Sequence, residues 1–315
     1  MSFREAQRRG ICFLPAATES RFLAPRRNDK DLGFGVKVKI GSRIRGTLLS
    51  RSKAIALFLI TAAIVAAVAL YVPRTPQPQS YHHFADHRPW LGISNFGDVA
   101  SNLAFAIVGI WGLIFLLRLS SPELPEHFVD ARERWPYILV FVGMLLTAFG
   151  SSYYHLAPDN ARLVWDRLPM TIVFMSMVAA IIMERISAPA GLWLWPALLA
   201  IGAGSVVQWH LSEVRGHGDL RFYAAVQVYS AVVLLLALVL PAKYTRSADF
   251  ALVAAFYVLA KILETIDRQI FAVGNVVSGH TLKHLAAAAA GYWILRMLQK
   301  RRPQFLRPTI SNLSS

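Results

Sequence analysis

After residue 53 the sequence consists almost entirely of long apolar runs joined by short loops, and this feature restricts the chain to few fold classes. A run of about 18 or more apolar residues is long enough to cross a membrane as a helix. We identify eight such runs, at about 54–73, 98–118, 136–156, 165–184, 191–209, 220–240, 249–270 and 279–298. Pro196, Gly202 and Gly204 interrupt the fifth run, but membrane helices tolerate such residues where neighbours satisfy the freed backbone groups.

The apolar runs leave almost no chain for a soluble domain, so the sequence predicts an all-α membrane protein. Residues 54–73 would form one extra N-terminal transmembrane helix, and residues 95–298 would form a bundle of seven helices. Basic tails at 1–53 and 299–315 would flank the bundle, and the first of them mixes Arg, Pro and Gly without periodicity, which is typical of disorder. The sequence leaves the oligomeric state open.

The positive charge is concentrated outside the apolar runs. The formal net charge is +15, and residues 1–53 hold 13 Lys or Arg against 4 Asp or Glu. Lys and Arg accumulate on the cytoplasmic segments of membrane proteins, so this bias places both termini in the cytoplasm and argues against nucleic acid as a partner. Cys12 is the only cysteine, which excludes an intrachain disulfide and a cysteine zinc site. These features suit a bacterial inner membrane.

Three polar motifs lie at the ends of apolar runs, and the predicted threading puts all of them at the face opposite the cytoplasm. Ser151 and His155 end the third run, Asp166 opens the fourth, and His280 and His284 open the eighth. Polar groups at membrane depth are costly, so these residues are candidates for a functional site.

The spacing of these residues suits a zinc hydrolase. Residues four apart share one face of a helix, so His280 and His284 can hold one metal ion, and His155 can complete a set of three protein ligands. Zinc lowers the pKa of water towards about 7 and polarises a carbonyl, while Asp166 could take the proton and Ser151 could donate to the oxyanion. In the simpler interpretation, the histidines are interfacial residues, Ser151 bonds the preceding turn, and Asp166 caps its helix or pairs with Arg167.

At these positions the chain resembles a known family. The pattern is Gly-Ser-x-x-x-His, then Asp-x-x-Pro-Met, then His-x-x-x-His near the start of the last helix. The matching residues are Gly150, Ser151, His155, Asp166, Pro169, Met170, His280 and His284. This pattern resembles the alkaline ceramidase family, part of a superfamily of seven-helix membrane hydrolases that includes the adiponectin receptors. Asn95–Asn102 is similar to the opening of the family's first core helix, and the resemblance covers about 95–298.

The resemblance implies a seven-helix ceramidase-like fold and a zinc-dependent amidohydrolase. His155, His280 and His284 would ligate zinc, Asp166 would handle the water proton, and Ser151 would support the oxyanion. The substrate would be a ceramide-like lipid within the bilayer, whose N-acyl amide is cleaved to a fatty acid and a sphingoid base. An alternative from another class is a seven-helix receptor-like or lipid-binding protein whose zinc is structural.

Two features depart from the family pattern. Eukaryotic members carry an acid-rich calcium site before the first core helix, whereas residues 81–102 contain only Asp86 and Asp98 as carboxylates. Asn95 is a possible third oxygen ligand in this segment. Because calcium usually binds about 6–8 oxygen atoms, three such residues make a calcium site doubtful. Arg167 stands where eukaryotic members usually have an acid.

Three more charged residues recur at steps of three on the seventh run. They are Lys261, Glu264 and Asp267. Because residues three apart are neighbours on a helix surface, we expect them to form an ion-paired strip.

Overall fold

The computed structural model describes residues 70–304 and, before them, residues 61, 63–64 and 66–68. In the predicted extra helix at 54–73, the described residues up to 71 are helical. Residues 72–73 are described and are not helical. Positions 54–60, 62, 65 and 69, the predicted tail at 1–53 and the end of the C-terminal tail lie outside the described residues.

Ten α-helices form most of the described part. Their bounds are α1 Phe96–Ser101, α2 Leu103–Arg118, α3 Leu124–His127, α4 Arg134–Leu156, α5 Asn160–Arg185, α6 Ala188–Val214, α7 Arg221–Val239, α8 Asp249–Thr265, α9 Asp267–Ala272 and α10 Gly279–Lys300. Two 3₁₀ helices lie at Gln79–His82 and Ala131–Glu133. These residues contain no β-strand, which confirms the all-α prediction for the part of the chain that is described.

Side-chain caps mark the beginnings of three long helices. Asp159, Ser187 and Ser278 accept hydrogen bonds from the backbone N–H three residues further on, at 2.7, 3.1 and 3.0 Å, where α5, α6 and α10 begin. Such caps satisfy N–H groups that have no partner within the helix. The same short-range pattern of a polar residue before an apolar run is visible in the sequence.

The longer helices, α2, α4 to α8 and α10, close into a ring. Each packs against the next along the chain, and α10 packs against both α8 and α2. Helix α5 also packs against α7, so it lies deepest in the bundle. Large apolar side chains fill the core between the helices, and Phe141, Val178, Ile182 and Leu295 are almost completely buried.

Five helical segments of the described part are long and apolar enough to cross a membrane. They are Phe96–Arg118, Ala131–Leu156, Asn160–Arg185, Ala188–Val214 and Arg221–Val239. Their outer faces expose large apolar side chains, among them Phe149, Trp193 and Val228. Because soluble proteins rarely expose apolar surface on this scale, the helices have the character of a multi-pass membrane protein.

The two remaining predicted spans, 249–270 and 279–298, are also helical. The first is divided at Ile266 into α8, which has 17 residues, and the short α9. Helix α10 has 22 residues, but its first turns carry His280 and Lys283. The crossing of a membrane by these two helices stays a prediction.

The fifth predicted span forms a continuous helix of 27 residues despite its proline and glycines. Gly202 has a packing role there, because a Cβ at this position would lie 2.8 Å from the Met175 side chain of α5. The interruption in the apolar pattern therefore allows α5 and α6 to approach closely.

A buried ion pair joins three helices at the end of the ring away from the polar motifs. Glu184, near the end of α5, binds Arg301, which follows α10, and Tyr137 of α4 donates a 2.7 Å hydrogen bond to the same carboxylate. Arg301 also lies over the ring of Tyr244, 4.1 Å from its centroid. The C-terminal segment predicted as a tail at 299–315 is thus packed into the bundle as far as Arg301.

We expect Glu184→Gln to destabilise the bundle strongly. The substitution keeps the side-chain volume but leaves the buried Arg301 cation without its counter-charge, a change that costs about 3–5 kcal/mol in comparable buried pairs. Thermal unfolding of the purified protein in detergent measures the effect. Glu126→Gln is the control, because the Glu126–Arg302 pair is exposed and 3.6 Å long. Equal melting temperatures for the two variants would contradict this role of the buried pair.

Candidate metal centre and its cavity

Three histidines from two helices meet inside the bundle. His155 lies in the last turn of α4, and His280 and His284 lie in the first two turns of α10. The nitrogen atoms that could bind a metal all lie within 4.8 Å of one another, and all three side chains are buried. The structure therefore brings together the three residues that the sequence predicted as metal ligands, and the set can hold one ion.

The hydrogen bonding of the imidazoles fits a metal. Nδ1 of His155 and Nε2 of His280 are buried and have no hydrogen-bond partner among the described residues. Buried polar atoms are normally paired, so such atoms need an explanation. Three neutral imidazoles are suitable ligands for zinc, and a bound ion would satisfy the unpaired nitrogens.

Ser101 holds the third histidine in one orientation. Its Oγ lies 2.8 Å from Nδ1 of His284 and donates a 3.0 Å hydrogen bond to the carbonyl oxygen of Asp98. Because the hydroxyl proton is used on this carbonyl, the hydroxyl accepts from Nδ1–H of His284. The neutral ring then keeps the lone pair of Nε2 for a metal. Sequence reasoning missed this residue, although it lies within the Asn95–Asn102 motif.

Residues 79–95, here called the covering segment, precede α1 and pack against two of the histidines. The ring of Phe84 packs against His155 and His280, with centroid distances of 4.6 and 4.5 Å. Asp267 anchors this segment, because its carboxylate accepts hydrogen bonds from the backbone N–H of Ala85 at 2.9 Å and of His280 at 2.7 Å. One carboxylate thus fixes both the cover and the beginning of α10.

This role of Asp267 differs from the expected ion-paired strip. Lys261 does pair with Glu264, at 2.8 Å, as the spacing predicted. The second partner of Glu264 is Lys283 of α10, at 2.6 Å, rather than a residue on its own helix. Asp267 binds backbone N–H groups because the chain turns at Ile266 and points it towards the beginning of α10.

A second contact holds the covering segment to α4 and α5. The ring of His82 bonds the Tyr154 hydroxyl at 2.9 Å and the Asn160 side chain at 3.0 Å. Burial lowers the pKa of His82, so this imidazole is neutral near pH 7 and can donate through one nitrogen and accept through the other. The covering segment is therefore fixed to the helices by several hydrogen bonds.

A long apolar cavity runs from His284 into the ring of helices. Its volume is about 160 Å³, and α2, α4, α5, α7, α8 and α10 supply its walls. Polar residues gather at one end, where Ser151, Asp166, Lys283 and His284 line the wall. On α5 the lining extends from Asp166 to Ile181, which corresponds to about 22 Å along the helix.

Gly150 allows Ser151 and Asp166 to face each other across two helices. A Cβ at this position would overlap with the carbonyl oxygen of Trp165, so α4 and α5 are in backbone contact beside the site. The Ser151 side chain lies beside the Asp166 carboxylate, and both side chains are buried. The structure thus gathers all five residues of the predicted site, while their roles stay predictions.

The residues considered as calcium ligands each contact protein groups, although Oδ2 of Asp98 is buried without a hydrogen-bond partner among the described residues. Asp86 forms a bidentate ion pair with Arg88, whose guanidinium holds the pKa of the Asp86 carboxyl below its usual value. Asn95 donates to the carbonyl oxygen of His155 at 2.8 Å. Asp98 accepts a 2.7 Å hydrogen bond from Thr281. The three residues brace the His155 and α10 ends of the site, and a calcium role stays an untested prediction.

No protein-family model matches this chain, and no curated protein sequence matches it. The resemblance to the ceramidases therefore rests on the motif residues themselves. Their convergence on one site is consistent with that resemblance and is independent of any alignment.

We expect Gly150→Ala to disrupt the site. The added methyl group meets backbone rather than a movable side chain, so α4 and α5 must separate, at a cost of about 1–3 kcal/mol or more. Zinc content and melting temperature should both fall. Gly204→Ala on α6 is the matched control, because a Cβ there meets no atom within 4 Å. An unchanged zinc content in Gly150→Ala would show that this close contact is dispensable.

Ser101→Ala should weaken metal binding without unfolding the protein. Loss of a partner that orients a metal-binding histidine typically lowers metal affinity by about 10–100-fold. Competition with a chromogenic chelator measures the affinity, and Ser101→Thr should restore much of it. Ser152→Ala serves as the control, since that hydroxyl only approaches the carbonyl oxygen of Val99, at 3.4 Å. Wild-type affinity in Ser101→Ala would refute the positioning role.

Proposed function

We propose that this protein is a membrane-embedded, zinc-dependent amidohydrolase that cleaves the N-acyl amide of a ceramide-like lipid. The products would be a fatty acid and a long-chain amine such as a sphingoid base. The observation that carries the proposal is the apolar cavity whose polar end is lined by Asp166, Ser151 and His284, one of the three clustered histidines. An acyl chain fits the apolar part of such a cavity, and the polar end suits the chemistry of an amide.

The proposed fold is a seven-helix ceramidase-like bundle preceded by one extra transmembrane helix. In this arrangement α8 and α10 cross the membrane with the five more apolar segments. Both termini then lie in the cytoplasm, and the histidines lie towards the opposite face, in a bacterial inner membrane. The ring of helices, in which α10 packs against α2, supports this proposal.

Zinc would be held by His155, His280 and His284. A catalytic zinc site typically has three protein ligands and one open position, which agrees with the number of histidines in the cluster. When bound, zinc would polarise the amide carbonyl and make water more acidic.

The remaining chemistry is assigned to Asp166 and Ser151. The Asp166 carboxylate accepts a proton from the attacking water and then delivers it to the amide nitrogen, as the carbon–nitrogen bond breaks and a carbon–oxygen bond forms. The Ser151 hydroxyl donates to the carbonyl oxygen while negative charge develops there. Their contact in the structure supports this division, because the two groups would face the same carbonyl.

The covering segment favours a lipid substrate. Phe84 packs on two of the histidines from outside, so the open approach to the polar residues is along the apolar cavity. A water-soluble amide gains little from such a route, whereas a lipid keeps its chains in an apolar environment.

One observation favours the alternative, a receptor-like or lipid-binding protein with a structural zinc. All three histidines are buried, two of them against Phe84, and closed surroundings are typical of structural zinc sites. This alternative predicts bound zinc and stabilisation by zinc, but no turnover of a lipid amide.

Hydrolysis of a panel of labelled N-acyl lipids by the detergent-purified protein distinguishes the two functions. For the hydrolase we expect fatty-acid release that stops with a chelator and returns with added zinc. Protein that contains about one zinc per chain and releases no fatty acid from any lipid of the panel would instead support the receptor-like alternative.

We expect Asp166→Asn to lower kcat by about 10²–10⁴-fold, because the amide cannot accept the water proton. Zinc content should be unchanged, since Asp166 is not one of the three ligands. His284→Ala should lose both zinc and activity. Asp159→Asn, on the exposed first turn of α5, controls for the loss of a negative charge nearby. Full activity in Asp166→Asn would remove Asp166 from the mechanism.

A further inference from the structure

A buried cation stands beside the histidines in the wall of the cavity. Lys283 lies on α10 between His280 and His284, and it lines the same polar end as Asp166. Lys283 and Asp166 are the two cavity-lining residues that carry a formal charge. Only about 15% of the Lys283 side chain is exposed. A lysine in this position is expensive to bury and is not needed for the hydrolysis proposed above.

The counter-charge of Lys283 is shared with a second lysine. One oxygen of Glu264 binds Lys283 at 2.6 Å, and the other binds Lys261 at 2.8 Å. Lys261, Lys283 and Glu264 together carry a formal net charge of +1. Because an ammonium group has three N–H donors, Lys283 can hold Glu264 and an anionic ligand at the same time.

A second cation strengthens the positive potential beside the site. Arg167 follows Asp166 and is buried against the rings of Trp209 and Tyr223, 4.2 and 4.6 Å from their centroids. It donates to the neutral side chain of Gln77 at 2.6 Å. None of these partners carries a negative charge, and the Asp166 carboxylate, which interacts with both Arg167 and Lys283, offsets only one of the two cations. In a low-dielectric site, charges of one sign attract ligands of the other.

The direction of the cavity decides which part of a substrate meets Lys283. The apolar walls lead away from the histidines towards Ile181 and Ile294, and an acyl chain would occupy that part. With the amide at the histidines, the amine portion of the substrate remains at the polar end. Lys283 lies at that end.

We propose that Lys283 binds an anionic group on the amine portion of the substrate, so that the preferred substrates are acidic N-acyl lipids rather than neutral ceramides. The anionic group is a carboxylate, as in an N-acyl amino acid, or a phosphate. This inference rests on the proposed amidohydrolase function: it keeps the amide and the acyl chain, and it replaces the sphingoid base of a ceramide-like lipid by an acidic amine portion. Lys283 acts as a binding residue and takes no part in the transfer of protons.

Three lipids with the same acyl chain test the inference: N-acylglycine, N-acylethanolamine phosphate and neutral N-acylethanolamine. Wild-type kcat/KM should favour at least one of the anionic lipids by about 10–100-fold, the range that a charge-assisted hydrogen bond provides, mainly through a lower KM. The anionic lipid that is preferred identifies the group as carboxylate or phosphate. Equal or better hydrolysis of the neutral lipid would overturn the proposal.

Variants of the two lysines separate ligand binding from a structural ion pair. In Lys283→Met the ratio of anionic to neutral kcat/KM should fall close to one, and Lys283→Arg should retain most of the preference. Lys261→Met removes the other partner of the same carboxylate at an exposed position outside the cavity, so the preference should survive there. An equal loss of preference in both methionine variants would assign the effect to Glu264 and overturn the role of Lys283.

A binding measurement tests the anion preference even if the protein hydrolyses none of the three lipids. Equilibrium binding of the same three lipids to wild type and to Lys283→Arg measures the anion preference without turnover. Preferential binding of an anionic lipid without hydrolysis would contradict the amidohydrolase while supporting the anion site. Binding without preference would reject the anion site by itself.

Discussion

Polar groups buried among apolar helices need partners, and this requirement organises both ends of the bundle. At one end the requirement is met in part within the protein: Glu184 binds Arg301 and Tyr137 donates to the same carboxylate, while Nη2 of Arg301 has no hydrogen-bond partner among the described residues. At the other end it is not met, because a ring nitrogen of His155 and one of His280 have no hydrogen-bond partner among the described residues. The unpaired atoms of His155 and His280 differ from the others in belonging to a cluster of three histidines that could hold one metal ion.

The ligand end is assembled by contacts that do not themselves bind a ligand. Gly150 lets α4 approach the backbone of α5, and Asp267 ties the covering segment to the beginning of α10. Ser101 orients His284 from a third helix. Each of these contacts fixes the position of a histidine or of Asp166, so the geometry of the site depends on packing as much as on the motif residues. Unpaired polar groups are tolerable there because the rest of the ring is well packed.

Short-range patterns were sufficient to predict the helices. Apolar runs of helical length located all seven long helices of the described part, including α6 with its internal proline and glycines. The same patterns could not place the break at Ile266 between α8 and α9, because the predicted span 249–270 contains no Pro or Gly that would mark it. They also could not show that Arg301 is buried, since a basic residue after an apolar run is normally a solvated tail.

The sequence by itself determined the class of the protein and the chemical groups of its site, because hydrophobic periodicity and the spacing of His155, Asp166, His280 and His284 are local properties of the chain. Only the tertiary structure decided what surrounds those groups. Ser101, Phe84 and the partners of Glu264 are separated from the residues that they contact by long stretches of chain, and no periodicity links them. Such contacts depend on how the helices pack in three dimensions, so the shape, cover and charge of the cavity become visible only when the bundle is closed.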